Sequence, residues 1–204
     1  MKGFIAKILL LSLLLTSILA MSSCKKDRTY ESGSEKPDIF SLDVQEYLSL
    51  GQYKGLSIKL VEGESKGEAI WEATVSGSDI ISYPQELLDY YIAQTEAQYR
   101  YYAEKSGKSY AEVLADYGKT EASLLEDAKR FVKEDLVYAA IVKAEGIEVT
   151  EADKAAHFDT FVDQYVSVYG YDKEYVKEKL ADVVLDSMLH DKMIEFLILN
   201  NSFN

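Results

Sequence analysis

The side chains that could do chemistry in this 204-residue chain are few, and their spacing matches no catalytic or metal-binding pattern. The only histidines, His157 and His190, are predicted to lie on acidic, exposed helix surface. A nucleophilic triad needs a serine or cysteine held against a histidine, and the single cysteine, Cys24, belongs to the N-terminal region. The sequence has no HExxH motif, no cysteine pair, no calcium loop and no phosphate-binding glycine loop. We therefore expect no enzymatic activity, no metal site and no cofactor.

One carboxylate has an unusual position. At 100° per residue, Asp135 falls within an apolar helical arc that also holds Phe131, Val132 and Ala139. Three roles are open for it: a place at the rim of the buried face, a hydrogen bond across a helix interface, or a functional acid. The first two are favoured, because a buried charge needs a partner.

Tyrosine is the most over-represented residue, with 16 copies. Eight of them fall within residues 83–117, and helical spacing cannot place all eight on one core stripe. Some must then face water or a concavity, where tyrosine offers apolar area and a hydroxyl at low entropic cost. The alternative, that they fill gaps at helix crossings, is equally open.

A long helix, predicted over residues 121–145, is the element that must position these groups. Its middle, LVYAAIV at 136–142, has no polar face, and a helix that is apolar all round must be covered on all sides. Gly146 ends it. We therefore expect this hub helix to lie at the centre of a helical domain.

The flanking helices are predicted from their start and stop signals. Each joint carries a glycine at the end of one helix and a capping residue shortly after it. The fold class is therefore mainly α, with a multi-helix domain over residues 82–204. The signals are Pro84 and Gly107, Ser109 with Glu112 and Gly118, Thr120, Thr150 with Asp153 and Gly170, and Asp172, which begins one last helix.

Residues 44–81 form the only β-like part of the sequence. Leu56, Ile58 and Leu60 alternate with polar side chains, which is typical of a half-buried strand. Residues 69–75 suit either a second strand or a short amphipathic helix. We expect a small β-hairpin here, which must lean on the helices because two strands alone are marginally stable.

The first 24 residues have the layout of a secretory signal: a basic start, an apolar core and small polar residues. The core has only about 13 residues, too few to span a bilayer. The segment resembles a bacterial lipoprotein signal, with Ser22 and Ser23 before Cys24, although Met21 stands where leucine is usual. The resemblance implies removal of residues 1–23, lipidation of Cys24 and export to the cell envelope. The alternative is cleavage near Ser23 with an unmodified Cys24.

The stretch after the signal is polar and contains Gly, Ser and Pro, so we predict a flexible tether over residues 24–43. The whole chain has a formal charge of −13 and no basic stripe. A surface of this sign repels nucleic acid, so we expect no nucleic-acid partner.

The helical part resembles the C-terminal chaperone domain of trigger factor. Its hub helix carries a V-K-x-x-L pattern from Val132, an I-x-V-T joint follows from Ile147, and the last helix ends in an apolar run. LGQYKGLSIKL, at 50–60, is also similar to the family's strand that enters its prolyl isomerase domain. Three segments carry the resemblance over residues 83–203: YPQELLDYYIAQ, AKRFVKEDLVYAAIVKAEGIEVTEAD and DKMIEFLILNNSF.

The departures from the family limit what the resemblance implies. No GFRxGK segment is present, so no ribosome binding is expected. About 20 residues separate Leu60 from Ser82, where the isomerase domain needs roughly a hundred, so its active site is missing. A similar helical architecture occurs in SurA-like and PrsA-like foldases, which are exported.

The resemblance implies helical arms around an open cradle that binds non-native or extended polypeptide without chemistry. The alternative function is a binding or scaffold lipoprotein for one specific protein partner. A residual prolyl isomerase is disfavoured. The candidate peptide-binding residues are Tyr90, Tyr91, Tyr99, Tyr101 and Tyr102.

Overall fold

The computed structural model describes residues 35–204. The predicted signal peptide, Cys24 and the first part of the predicted tether lie outside these residues. Seven α-helices dominate the described part: α1 Lys66–Ser76, α2 Gln85–Ser106, α3 Tyr110–Asp116, α4 Glu121–Glu145, α5 Glu151–Tyr169, α6 Lys173–Lys179 and α7 Ala181–Leu199. Four two-residue strands accompany them: β1 Leu48–Ser49, β2 Ser57–Ile58, β3 Asp79–Ile80 and β4 Ser202–Phe203.

The hub helix is α4, and its bounds agree with the prediction. Thr120 caps it, since the Thr120 hydroxyl accepts a hydrogen bond of 3.1 Å from the backbone N–H of Ser123. The capping boxes predicted for α3 and α5 are also present, each satisfying two of the backbone groups that a helix end leaves unpaired. Local side-chain chemistry therefore fixes where these helices begin.

The middle of the hub is covered on all sides, as its sequence predicts. Leu136, Val137, Ala139 and Ile141 are all 0% exposed. The cover comes from α1, α2 and α7, which pack against different sides of α4. Because buried apolar area drives folding, this main core is where most of the stabilisation of the domain resides.

The predicted last helix is two helices, which corrects the expectation of a single one from Asp172 to the C-terminus. The break lies at Leu180, whose φ of −116° and ψ of 15° leave the helical region. Val176 in α6 and Val184 in α7 lie on either side of the break and are buried in one cluster. No glycine or proline marks this position, so the bend is set by packing rather than by a local signal.

The expected β-hairpin is not formed. Ser65 and Glu68 make a capping box at the start of α1, so residues 69–75 belong to a helix, which buries Ile70 and Trp71 in the main core. Strand β1 pairs antiparallel with β3, and β2 pairs in parallel with β4 at the other end of the chain. The β-like segment therefore ties the two ends of the domain together.

The last part of the predicted tether is also different from the expectation. Residues 36–42, here called the strap, lie against the main core: Ile39 is buried in it, and Phe40 and Leu42 pack on it. Three apolar side chains in an otherwise polar stretch explain the difference, because leaving them in water would cost the free energy that their burial recovers.

Two smaller cores lie beside the main one. The first arm consists of α3 with the adjoining ends of α2 and α4, and the second arm consists of α5, α6 and the first half of α7. Their buried residues are Tyr99, Ala103, Val113, Leu114 and Leu124 in the first arm, and Phe161, Val162, Tyr165, Tyr169, Val176, Val184 and Met188 in the second. Across residues 35–204, no helix combines the length and apolarity that crossing a membrane requires.

The hub gives a direct test of this arrangement. Leu136→Ala should lower the free energy of unfolding by about 2–5 kcal/mol, because it opens a cavity where every side is packed. Leu125→Ala, on the same helix but 36% exposed, should cost less than about 1 kcal/mol. Urea unfolding followed by circular dichroism measures both, and equal losses would contradict a hub that is covered all round.

Candidate functional site

An open groove with a volume of about 480 Å³ lies beside the hub. Its walls come from the strap, the end of α4, the α4–α5 linker and α7, and they are mostly apolar. Such a surface suits the aliphatic or aromatic side chains of a ligand. The apolar lining residues are Phe40, Val142, Ile147, Val149, Leu185 and Leu189, and the polar ones are Glu148, Lys154 and Asp186.

The linker wall follows from the sequence of the joint. Gly146 adopts a left-handed conformation, with φ of 60° and ψ of 37°, which ends the hub at little steric cost. The N–H of Ile147 then bonds to the carbonyl oxygen of Val142 at 3.0 Å. Thr150 caps α5 immediately afterwards. These two fixed ends hold the short linker in place, with Ile147 and Val149 at the groove.

Two of the three polar lining residues, Lys154 and Asp186, have local partners. The ammonium group of Lys154 pairs with Glu151 at 2.8 Å. Asp186 accepts a hydrogen bond of 3.1 Å from the hydroxyl of Tyr138. Both pairings leave the floor of the groove apolar, so the geometry supports holding a side chain rather than transforming one. The described residues 35–204 contain no cluster of acidic, histidine or cysteine side chains able to bind a metal ion.

Asp135 lies in the interface between α2 and α4, as one of its predicted roles required. It is buried, and it accepts hydrogen bonds from the hydroxyl of Tyr91 at 2.5 Å and from the ammonium group of Lys36 at 3.0 Å. Burial raises the pKa of the Asp135 carboxyl, while Lys36 and Tyr91 oppose the shift. These contacts join the hub, α2 and the strap, so the residue has a structural role.

Two of the predicted cradle tyrosines are core residues. Tyr91 is 1% exposed and Tyr99 is 9% exposed, which corrects the expectation that they line an open surface. The reason is the helical spacing of α2, which turns Tyr91 toward the hub and Tyr99 into the first arm.

The other three, Tyr90, Tyr101 and Tyr102, are half-buried. The ring of Tyr102 stacks on that of Tyr117, with centroids 5.5 Å apart, and Tyr117 is 58% exposed. Their part in peptide binding stays a prediction.

A second row of tyrosines was missed at the sequence level. Tyr165, Tyr169, Tyr171 and Tyr175 stand ring against ring along the second arm, with successive centroids 5.4 to 5.9 Å apart. Tyr175 is 45% exposed at the end of this row. The sequence signal that could have revealed this row was the spacing of the tyrosines on either side of Gly170. The turn at Gly170 brings the end of α5 and the start of α6 together. Each arm thus presents one exposed tyrosine beside tyrosines that are buried or half-buried.

His190 is not an exposed surface residue, which corrects the prediction, whereas His157 is exposed. The ring of His190 packs against Trp71 and Tyr138, with centroids 5.5 and 5.3 Å away, and Tyr138 in turn contacts Phe40 of the strap. Burial lowers the pKa of His190 to about 4. The imidazole is therefore neutral at physiological pH and serves as an aromatic packing group.

This pKa predicts a loss of stability in acid. His190 binds a proton at about pH 6.5 in the unfolded chain and only at about pH 4 in the folded one, so folding becomes less favourable as the pH falls between these values. Lowering the pH from 7 to 4.5 should reduce the free energy of unfolding, and His190→Phe should make this reduction smaller by about 2 kcal/mol. Urea unfolding followed by the emission of Trp71, the only tryptophan, measures it.

His157→Phe is the control, because it makes the same substitution at an exposed position. His157→Phe should keep the acid sensitivity of the unsubstituted chain. If His190→Phe is as sensitive to acid as the unsubstituted chain, burial does not hold the imidazole of His190 neutral.

Comparison with known proteins extends these observations. The chain is 30% identical over 155 residues to trigger factor of Clostridioides difficile (strain 630), which covers 71% of this chain and 35% of that protein. It is 34% identical over 89 residues to trigger factors of Bacillus thuringiensis (strain Al Hakam) and Bacillus cereus (strain B4264), which covers 42% of this chain and 20% of each. The chain thus spans about a third or less of the length of these relatives. No solved structure matches it.

The family model for the bacterial trigger factor C-terminus matches residues 63–199. The matched region begins just before α1 and ends with α7, so it contains the hub and both arms together with most of the groove. The chain therefore belongs to the family defined by the C-terminus of the bacterial trigger factor protein.

Proposed function

We propose that this protein is a chaperone-like protein that binds unfolded or extended polypeptide without catalysing a reaction. The observation that carries the proposal is the open apolar groove, formed where the hub, its linker and α7 meet. A groove of this kind takes side chains that a folded protein buries and a non-native one exposes. Binding the non-native chain alone is enough to shift the outcome of folding.

The size of the groove favours weak contacts at several places. About 480 Å³ holds a few side chains, not a folded partner. The exposed tyrosines Tyr117 and Tyr175 add contact points on the two arms. Tyrosine has only two rotatable side-chain bonds, so it loses little entropy when a client settles against it. Distributed contacts of this kind tolerate many client sequences.

The absence of catalysis is part of the proposal. Residues 61–81 form a turn, α1 and β3, which leaves no space there for an inserted isomerase domain. The buried acid Asp135 is held by two partners inside the fold, and His190 is held among aromatic rings. Neither group faces the groove.

A groove variant tests the proposal in an aggregation assay. The chain from Lys25 onward, at several-fold molar excess, should suppress aggregation of a chemically denatured client as it is diluted from denaturant. Leu189→Gln places an amide in the apolar wall and should reduce the suppression about five- to tenfold, since burying an unpaired polar group costs about 1–3 kcal/mol.

The control substitution lies on the same helix. Leu199→Gln changes a side chain that is 84% exposed and does not line the groove, so it should leave suppression unchanged. No suppression by the unsubstituted chain would count against the proposed function. One stoichiometric partner in a crosslinking pull-down, instead of many clients, would favour the scaffold alternative.

The second part of the proposal is that the protein is exported and anchored by lipid at Cys24. The support is the order of the N-terminal residues, a basic start, an apolar core and Ser-Ser-Cys. Three acyl chains would hold it stably, since stable attachment generally needs more than one. The 10 residues from Lys25 to Ser34 would connect the lipid to the part of the chain that the structure describes.

Mass spectrometry of the protein produced with its signal in a bacterium tests this. The N-terminal peptide should begin at Cys24 and carry the mass of diacylglycerol plus an acyl chain. Cys24→Ser should leave the protein in the aqueous phase of a detergent partition. An unmodified Cys24, or cleavage at another residue, would rule the anchor out.

A further inference from the structure

The strap lies on the hub as a peptide ligand would. Residues 36–42 belong to no helix or strand of the described chain. They place Ile39 in the main core and the ring of Phe40 against Tyr138, at 5.5 Å between centroids. Lys36 precedes a proline, which favours an extended backbone at that position. The segment thus arrives extended and contacts the body through its side chains.

The attachments of the strap to the body are few. Within the strap, the N–H of Phe40 bonds to the carboxylate of Asp38 and the N–H of Ser41 bonds to the carbonyl oxygen of Asp38. Toward the body, the ammonium group of Lys36 bonds to Asp135, and the ammonium group of Lys143 bonds to the carbonyl oxygen of Leu42 at 2.7 Å. A segment without a β ladder to the body can detach without disrupting a sheet or a helix.

Two polar groups below the strap keep a hydrogen-bond partner without it. The carboxylate of Asp135 is fixed by the hydroxyl of Tyr91, and the hydroxyl of Tyr138 is fixed by Asp186, both of which belong to the helical body. When the strap leaves, Asp135 loses its cation and the main core loses Ile39, which leaves a charge and an apolar surface for another peptide to cover. The same surface continues into the groove, because Phe40 of the strap forms one of the groove walls.

We propose that the hub surface around Asp135 and Tyr138 is a peptide-binding site that the strap occupies as an intramolecular ligand. The ligand is an extended polypeptide segment with a cation followed by an apolar pair, as in Lys36, Ile39 and Phe40. This proposal rests on the proposed function and adds to it that clients and strap compete for one surface. Displacing the strap removes a wall of the groove and joins the groove to the hub surface.

The fraction of molecules in which the strap covers the site determines how much removing the strap should strengthen peptide binding. The apparent dissociation constant of a ligand equals its intrinsic value divided by the fraction of molecules whose site is open. If the strap covers the site in nine molecules of ten, removing its two anchors strengthens binding about tenfold.

The chain offers a matched pair of double variants for the test. Lys36→Ala with Phe40→Ser removes the cation and the ring of the strap. Lys66→Ala with Phe203→Ser removes a cation and a ring that contact each other at 5.1 Å elsewhere on the domain, where Phe203 also packs against the main core. The probe is a fluorescein-labelled peptide of residues 35–43, EKPDIFSLD, followed by fluorescence anisotropy.

The peptide should bind the strap variant up to about tenfold more tightly than the control variant or the unsubstituted chain. Adding Asp135→Asn to the strap variant should weaken this binding, because the neutral amide cannot form an ion pair with the lysine of the peptide. Equal binding of the peptide to all three chains would overturn the proposal. If the double strap variant does not fold, Lys36→Ala alone should show the same direction with a smaller change.

The aggregation assay separates this inference from the proposed function. The strap variant should suppress aggregation at a several-fold lower molar ratio than the control variant. Equal potency of the two would overturn competition by the strap and leave the proposed function standing. Selective binding of the strap peptide without suppression by any chain would uphold the intramolecular ligand and remove the proposed function.

Discussion

The whole fold depends on covering about two turns of helix that have no polar side. Residues 136–142 of the hub are covered by α1, α2 and α7. The constraint explains why segments from both ends of the described chain meet here. It also explains why β2 and β4, far apart in sequence, pair next to the core they close.

The ends of the hub are amphipathic, and they impose a weaker constraint. The start of the hub needs cover on one side only, which α3 and the end of α2 supply, whereas α5 and α6 of the second arm pack on α7. The groove lies where the linker between α4 and α5 and the second arm join the body. The apolar surface proposed for client binding is thus a consequence of the way the arms attach.

A single carboxylate connects these parts. Asp135 lies on the face of the hub that meets α2, and its two oxygens take bonds from Tyr91 of α2 and Lys36 of the strap. Removing one partner of such a buried ion pair costs more than the pair contributes, because a charge is then left without compensation. This buried acid therefore holds the hub, α2 and the strap together, and its cation comes from the strap.

The sequence by itself determined the helices with local signals: the capping residues and glycines bounded α3, α4 and α5, and the apolar run at 136–142 located the centre. The sequence also determined the family, because the helical segments that carry these signals resemble it. Only the tertiary structure decided the break at Leu180, the helix at 66–76, the burial of Tyr91 and the docking of the strap. Each of these depends on contacts between residues distant in the sequence, and a local pattern cannot say which of two apolar faces will find a partner.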